Sequence, residues 1–180
     1  MISPSRIALR VLVSMAGLAL AAGAATADTA TLLGVSQNWS AFTSGSGNDK
    51  ICYAMANPTA TDPKKAHRDP IHFLITDWPG RSPKTKSEPE VIPGYQYKPD
   101  STVTAKVGTD SFELFTKNDG GAGAAWVRHR ADEIKLIEAM KHGAKLVITG
   151  TSLRGTKTTD TYTLAGLQDA LDKIHAACGF

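Results

Sequence analysis

The chain has 180 residues, a length that accommodates one domain or at most two small ones. Its 20 Lys and Arg residues against 17 Asp and Glu residues leave a formal net charge of +3, which excludes a strongly basic nucleic-acid binder and an acidic disordered tail. Hydrophobic residues make up 42% of the chain, which is enough to build a core.

The first 27 residues have the pattern of a Sec-type signal peptide. Arg6 and Arg10 supply a positive start, an apolar run follows, and Ala25-Thr26-Ala27 forms a small-x-small cleavage site. The alternative is a membrane anchor, but the strictly apolar run is shorter than the ~20 residues that span a bilayer. We therefore predict cleavage after Ala27, a single domain over residues 28–180, and a periplasmic, secreted or outer-surface location.

Export changes the interpretation of the two cysteines, Cys52 and Cys178. In an oxidising compartment an even pair predicts one disulfide, here a structural one. Cys52 and Cys178 are far apart in the chain, so the disulfide would close a long loop. In the loop-entropy model such a bond stabilises the folded state by at most roughly 5 kcal/mol, and measured values are more often about 2–4 kcal/mol. The alternative is a reactive or metal-bound thiol, for which the chain offers no C-x-x-C motif.

The first half of the domain is predicted to contain short strands separated by polar loops. Residues 28–36 are expected to form a loose arm, and residues 38–43 and 51–56 a hairpin. A loop spans residues 58–69 and a buried strand residues 70–76. The prolines of residues 77–89 predict another loop, and Pro93-Gly94 leaves residues 91–97 at best an edge or bulged strand.

The second half contains the clearest hairpin, over residues 102–107 and 111–116, followed by a flexible loop and a short strand over 124–127. Residues 132–142 are predicted to form a helix, and residues 146–149 and 156–164 two more strands. The last element is a helix over residues 167–177 whose apolar stripe includes Cys178, so a disulfide would staple this helix to the strand that carries Cys52. The predicted fold is mainly β, an antiparallel β-sandwich with one or two short helices.

Short motifs then follow one another in a characteristic order. They are Cys52-Tyr53-Ala54, Arg68-Asp69-Pro70-Ile71, Gly94-Tyr95, Phe112-x-Leu114-Phe115-Thr116-Lys117, Ala125-Trp126-Val127, Ala139-Met140-Lys141-x-Gly143, Gly150-Thr151-Ser152-x-Arg154-Gly155-Thr156, Thr159-Asp160-Thr161-Tyr162-Thr163-Leu164, and a closing helix that ends in Cys178. This ordered set resembles the invasion-associated locus B (IalB) family of exported bacterial proteins, from about Trp39 to Cys178. The resemblance implies an immunoglobulin-like sandwich, a periplasmic or outer-surface location in a Gram-negative bacterium, a link to host-cell invasion in pathogenic members, and no known enzymatic activity or cofactor.

The best candidate nucleophile is Ser152, which lies in Gly150-Thr151-Ser152-Leu153-Arg154-Gly155 just after a predicted strand. A nucleophile elbow needs G-x-S-x-G and a following helix, whereas here Arg154 replaces the second glycine and a Thr-rich strand follows. The simpler interpretation is a turn between two strands. No catalytic residue is therefore assigned.

The histidines predict no metal site because His67, His72, His129, His142 and His175 show no ligand spacing. Three basic clusters, which could converge on an anionic partner such as lipopolysaccharide or a host glycan, are more simply a solvated charged surface. They are Lys64-Lys65-x-His67-Arg68, Lys84-x-Lys86 and Arg128-His129-Arg130.

Two functional hypotheses remain. The first is a non-catalytic envelope or surface protein that binds a protein or glycan of the envelope or the host surface, with no nucleic acid, no cofactor and no membrane span after cleavage. The second is a small exported hydrolase assembled from distant residues such as Ser152, His129 and Asp160. A structure separates them, because a hydrolase needs Ser152 within hydrogen-bond reach of a histidine that a carboxylate orients.

Overall fold

A computed structural model describes residues 29–64 and 66–180; the predicted signal peptide lies outside the described residues. Two helices, α1 (Arg130–His142) and α2 (Leu167–Cys178), accompany eleven strands in this part of the chain. The strands are β1 (Thr31–Ser36), β2 (Trp39–Ser44), β3 (Ile51–Ala56), β4 (Ala60–Asp62), β5 (His72–Trp78), β6 (Thr85–Ile92), β7 (Thr102–Val107), β8 (Asp110–Asp119), β9 (Ala122–Val127), β10 (Lys145–Thr151) and β11 (Lys157–Thr163).

All eleven strands belong to one hydrogen-bonded antiparallel sheet, in the order β1-β2-β3-β5-β6-β9-β8-β7-β10-β11-β4. The fold is therefore mainly β, as predicted, but the structure does not show the separate sheets of an immunoglobulin-like sandwich. The reason is local: two residue pairs, Glu90–Trp126 and Val91–Ala125, join β6 to β9 and so connect the two halves of the sheet. We call this short ladder the β6–β9 junction.

The sheet curls so that strands far apart in its order pack against each other. Trp39 in β2 donates its indole N–H to the carbonyl oxygen of Thr163 at the end of β11, at 3.0 Å. The ring centroid of Phe73 in β5 lies 5.9 Å from that of Tyr162 in β11. The two halves of the sheet therefore enclose one shared core.

Alternate residues of the strands fill this core, as Cys52, Ala54 and Ala56 do in β3. Helix α2 adds an apolar stripe that includes Leu171 and Ile174, and it contacts β1, β2, β3 and β5. Helix α1 adds Leu136, Ile137 and Met140, whereas its Ile134 is half exposed. Burial of these side chains supplies the main stabilisation of the domain.

Three segments differ clearly from the sequence-based prediction. Residues 60–62, expected in the loop over residues 58–69, form edge strand β4, which pairs with β11. Residues 31–36, expected in a loose arm, form edge strand β1, which pairs with β2 and buries none of its six residues fully. Residues 85–89, expected in a loop, belong to β6, which lies between β5 and β9. Pro89 is tolerated inside this strand because the ladder to β9 begins only at Glu90, so the missing N–H of proline leaves no partner unpaired on that side.

A bulge interrupts the pairing of β5 with β6 close to helix α2. Thr76 pairs with Glu88 and Trp78 with Thr85, so Lys86 and Ser87 together lie opposite Asp77. Ser87 has a φ of 56°, a left-handed conformation, and its backbone N–H donates to Oδ1 of Asp77 at 2.8 Å. The buried carboxylate therefore replaces the ladder partner that the bulge removes.

Candidate functional site

The disulfide joins Cys52 in β3 to Cys178 at the end of α2, the pairing that the sequence predicts. Both residues are buried, and the bond spans a sequence separation of 126. The ammonium group of Lys50, one residue before β3, donates a hydrogen bond to the carbonyl oxygen of Ala177 at 2.6 Å. The end of α2 is thus held to β3 by a covalent bond and by a charge-assisted hydrogen bond.

Three polar side chains cluster beside the disulfide. Cys52 pairs with Asp77 across β3 and β5, and His175 lies one helical turn before Cys178. The Nε2 atom of His175 lies 2.9 Å from the hydroxyl oxygen of Ser87 and 3.7 Å from Oδ1 of Asp77. Burial raises the pKa of Asp77 to about 6 and, together with the charges of Lys86 and Lys141, lowers that of His175 to about 4. At neutral pH His175 is therefore uncharged, and this contact is not an ion pair.

This cluster contains the residue types of a hydrolytic triad but not its arrangement. In a triad the serine and the carboxylate bind opposite nitrogens of the imidazole, so that the carboxylate fixes the tautomer. Here both Ser87 and Asp77 approach Nε2 of His175. The hydroxyl-bearing Ser87 is buried as well, which leaves little room for a substrate. The arrangement is that of a buried polar contact between β6 and α2.

The residues proposed for a hydrolase from the sequence have other partners. The hydroxyl oxygen of Ser152 accepts a hydrogen bond from the backbone N–H of Thr156 at 3.2 Å. This bond lies within the turn between β10 and β11. Asp160 is paired with Arg68, and His129 is the residue before α1. Among residues 29–64 and 66–180, no hydrogen bond or ion pair links any two of Ser152, His129 and Asp160.

The Arg68–Asp160 pair explains why several family motifs occur together. Both guanidinium Nη atoms of Arg68 donate to the carboxylate oxygens of Asp160 at 2.7 Å, and Arg68 also donates to the carbonyl oxygen of Pro93. The guanidinium lies 5.0 Å from the ring centroid of Tyr95. A side chain at Gly94 would collide with the carbonyl oxygen of Asp69. The motifs around residues 68, 94 and 160 thus build one buried polar contact.

The predicted basic clusters do not converge on one surface. Arg68 is buried against Asp160, so the expected solvated surface is wrong for this residue. The guanidinium of Arg128 lies 4.9 Å from the ring centroid of Phe115, whereas Arg130 donates to the backbone carbonyl of Lys86 and pairs with Glu133. Lys86 and Arg130 do meet, in a cleft of about 440 Å³ between α1, α2 and β6.

An open groove of about 870 Å³ lies between α1 and the turn that joins β7 to β8. Two of its charged side chains are already paired along the helix: Lys135 binds Asp132 at 3.0 Å, and Glu138 binds Lys141 at 2.9 Å.

The side of the sheet that faces away from the core carries a different set of residues, and we call it the outer face. Strand alternation places large side chains there in two rows that run across the strands, each row made of residues paired in register. The first row is Leu32, Phe42, Tyr53, Thr76 and Glu88, and the second is Val35, Ser40, Met55, Leu74, Glu90, Trp126, Phe115 and Thr102.

Aromatic rings form two contacts on the outer face. Phe42 and Tyr53 stack with ring centroids 5.1 Å apart and planes at 19°, and Phe115 and Trp126 lie 5.8 Å apart at 34°. All four rings are partly exposed. Each pair therefore presents an apolar surface made of two adjoining rings.

Two carboxylates lie between the aromatic pairs. Glu88 accepts the indole N–H of Trp78 at 2.7 Å and pairs with Arg81 at 2.9 Å. Glu90 is flanked by Leu74 and Trp126 in its row, and desolvation, together with the charge of Glu88, raises the pKa of Glu90. No described residue donates a hydrogen bond to the carboxylate of Glu90, so its oxygens are available as acceptors.

Sequence reasoning did not identify the outer face, because its rows join residues from segments far apart in the chain. Trp126 and Phe115 occur in the family motifs, but Glu90 lies between a predicted loop, residues 77–89, and a predicted edge or bulged strand, residues 91–97. A register that brings Glu90 beside Trp126 is set by the β6–β9 junction, which no local pattern indicates.

Within the described chain, no group of three or more His, Cys, Asp or Glu side chains is arranged to hold a metal ion. None of the described helices has the length and apolar character needed to cross a membrane.

The architecture defines the class of this protein: a mainly β domain whose sheet curls around one core and whose last helix is disulfide-linked to β3. A family model described as "Invasion associated locus B (IalB) protein" matches residues 39–175. The chain therefore belongs to the IalB family.

A solved structure supports the fold. The crystal structure of invasion associated protein b from Bartonella henselae is similar to this chain, with a TM-score of 0.54 and 12% sequence identity. The similarity covers 82% of this chain and 98% of the Bartonella chain. At that identity the likeness concerns the fold alone. A search of curated proteins found no match.

Proposed function

We propose that this protein is an exported, non-catalytic envelope or surface protein that acts by binding a protein or glycan partner on the outer face of its sheet. The observation that carries the proposal is the outer face itself, where one stacked and one tilted aromatic pair and an unpaired carboxylate remain partly exposed. Aromatic rings that are fixed in place yet exposed are typical of recognition surfaces.

The non-catalytic part of the proposal is supported by the polar side chains of the core. Ser152 and Asp160 are occupied by backbone and Arg68 contacts, and the Ser87–His175 contact lacks a carboxylate on the second ring nitrogen. The hydrolase alternative therefore has no serine, histidine and carboxylate assembled in a triad among the described residues. Disulfide formation agrees with an oxidising compartment and thus with export.

The test is saturable binding of the fluorescently labelled exported chain to isolated envelope fractions. Replacing Tyr53 and Trp126 together with Ala is expected to reduce this binding at least tenfold, because it removes one ring from each aromatic pair. The control is Lys86→Ala in the cleft between α1 and α2, which is expected to leave binding unchanged. Equal binding by the wild type and the Tyr53/Trp126 double variant would contradict the proposal.

A further inference from the structure

The outer face combines apolar rings with hydrogen-bond acceptors in a way that restricts the chemistry of its ligand. Resting on the function proposed above, we propose that the site on the outer face, centred on Glu90 and Trp126 at the β6–β9 junction, binds an uncharged oligosaccharide chain of the bacterial envelope.

The first argument is the pairing of a ring with a free acceptor. Trp126 and Glu90 occupy directly paired positions on β9 and β6, so the indole and the carboxylate are neighbours on the same face. A sugar ring has an apolar C–H face that stacks on an aromatic ring and hydroxyl groups at its edge that donate hydrogen bonds. Trp126 and Glu90 match these two features, and no described residue donates to the Glu90 carboxylate.

The second argument is the extent of the site. The pair Phe42–Tyr53 lies on β2 and β3, and the pair Phe115–Trp126 on β8 and β9. Strands β5 and β6 separate β3 from β9, so the two aromatic pairs are on the order of 14 Å apart at ~4.8 Å per strand. This separation suits an extended chain of several sugar units and is too large for one monosaccharide.

The third argument is charge. Glu88 and Glu90 are the charged groups between the two aromatic pairs, and Arg81 is already paired with Glu88. Arg128, at one end of the second row, lies over the ring of Phe115. The negative charges of Glu88 and Glu90 at the centre of the site therefore disfavour an anionic glycan.

The source of the glycan follows from the predicted route of the chain. A protein exported through the Sec pathway enters the compartment that contains the glycan strands of the cell wall before it reaches any host surface. Chitohexaose, an uncharged β-linked chain of N-acetylglucosamine, serves as the probe for this chemistry. Purified cell-wall sacculi serve as the probe for the source.

The experiment is calorimetric titration of the exported chain with chitohexaose, a heparin hexasaccharide and hexalysine. Saturable binding of chitohexaose is expected, with at least a tenfold loss in Trp126→Ala and a smaller loss in Glu90→Gln, which preserves the shape of the side chain. Lys86→Ala is expected to bind as the wild type does. Co-sedimentation with sacculi is expected for the wild type and not for Trp126→Ala.

Several results would overturn the inference. The first is the absence of saturable chitohexaose binding, and the second is binding by Trp126→Ala and Glu90→Gln that equals that of the wild type. The others are preferential binding of heparin or hexalysine, and chitohexaose binding without co-sedimentation with sacculi. If binding to envelope fractions depends on Tyr53 and Trp126 while chitohexaose does not bind, the glycan inference fails and the proposed function stands. If envelope binding is independent of both rings, the proposed function itself fails.

Discussion

Asp77 and His175 lie in contact beside the disulfide, and burial displaces their pKa values in opposite directions. Burial disfavours the charged form of each group, so the folded protein favours protonated Asp77 and neutral His175. The charges that act on this pair come from three elements: Lys86 in β6, Arg130 and Lys141 in α1, and Asp172 in α2. The two groups therefore make opposing contributions to the pH dependence of folding.

The signs follow from the pKa values. Asp77 has a folded pKa of about 6, above its ordinary 3.8, so its contribution to stability grows as the pH falls from about 6 towards 4. His175 has a folded pKa of about 4, below its ordinary 6.5, so its contribution is present above pH 6.5 and is lost as the pH falls through 4. Each shift corresponds to about 3 kcal/mol, and the two contributions largely cancel between pH 7 and pH 4.

Single substitutions are expected to remove this cancellation. Relative to the wild type, Asp77→Asn loses about 3 kcal/mol of unfolding free energy between pH 7 and pH 4, because the destabilisation from His175 is then unopposed. His175→Gln gains a similar amount over the same range. Urea denaturation at a series of pH values measures both, with the exposed Asp132→Asn as the control. Stability curves of both variants that run parallel to that of the wild type would refute the account.

Also at the residue scale, the Arg68–Asp160 pair shows what the sequence could and could not reveal. The sequence showed the motifs around residues 68, 94 and 160 as an ordered set, but it did not show that their side chains contact one another. Arg68 lay in a run of basic residues that predicts a solvated surface, whereas a bidentate partner 92 positions away buries it. Local charge patterns do not indicate such long-range pairing.

At the scale of elements, prediction succeeded where the pattern is local. The β7–β8 hairpin alternates cleanly around a two-residue turn, and helix α2 has an apolar stripe whose register places Cys178 inwards. The prediction was wrong for the first part of β6. Pro83 and Pro89 indicate a loop, but pairing with β5 keeps residues 85–89 in a strand. The prediction failed for β1 because an exposed edge strand buries too few side chains to leave a pattern.

The disulfide is expected to supply much of the stability that links α2 to the sheet. Replacing both Cys52 and Cys178 with Ala is expected to lower the unfolding free energy by about 2–4 kcal/mol, because the unfolded chain is no longer cross-linked. Thermal denaturation of the wild type with dithiothreitol should show a comparable loss, and the double variant should not respond to the reductant. A wild-type midpoint unaffected by reduction would disprove a structural role for the bond.

At the scale of the whole molecule, the two faces of the sheet have different surroundings. The inner face packs against α1 and α2 around a shared core, and the outer face keeps its aromatic pairs partly exposed. The β6–β9 junction makes this possible, since it joins the two halves of the sheet and brings Glu90 to Trp126. This arrangement depends on pairing between distant segments. The mainly β character of the fold was therefore predictable from the sequence, whereas the single curled sheet and its outer face were not.

The most direct test uses the three tryptophan indole N–H groups as reporters in a two-dimensional NMR titration with chitohexaose. Trp126 lies on the outer face, Trp78 donates to Glu88, and Trp39 is buried and bonded to Thr163, which makes Trp39 an internal control. The Trp126 indole resonance is expected to shift progressively to saturation while the Trp39 resonance stays fixed. Saturable shifts confined to residues around the cleft between α1 and α2, with Trp126 unmoved, would contradict the assignment of the binding surface.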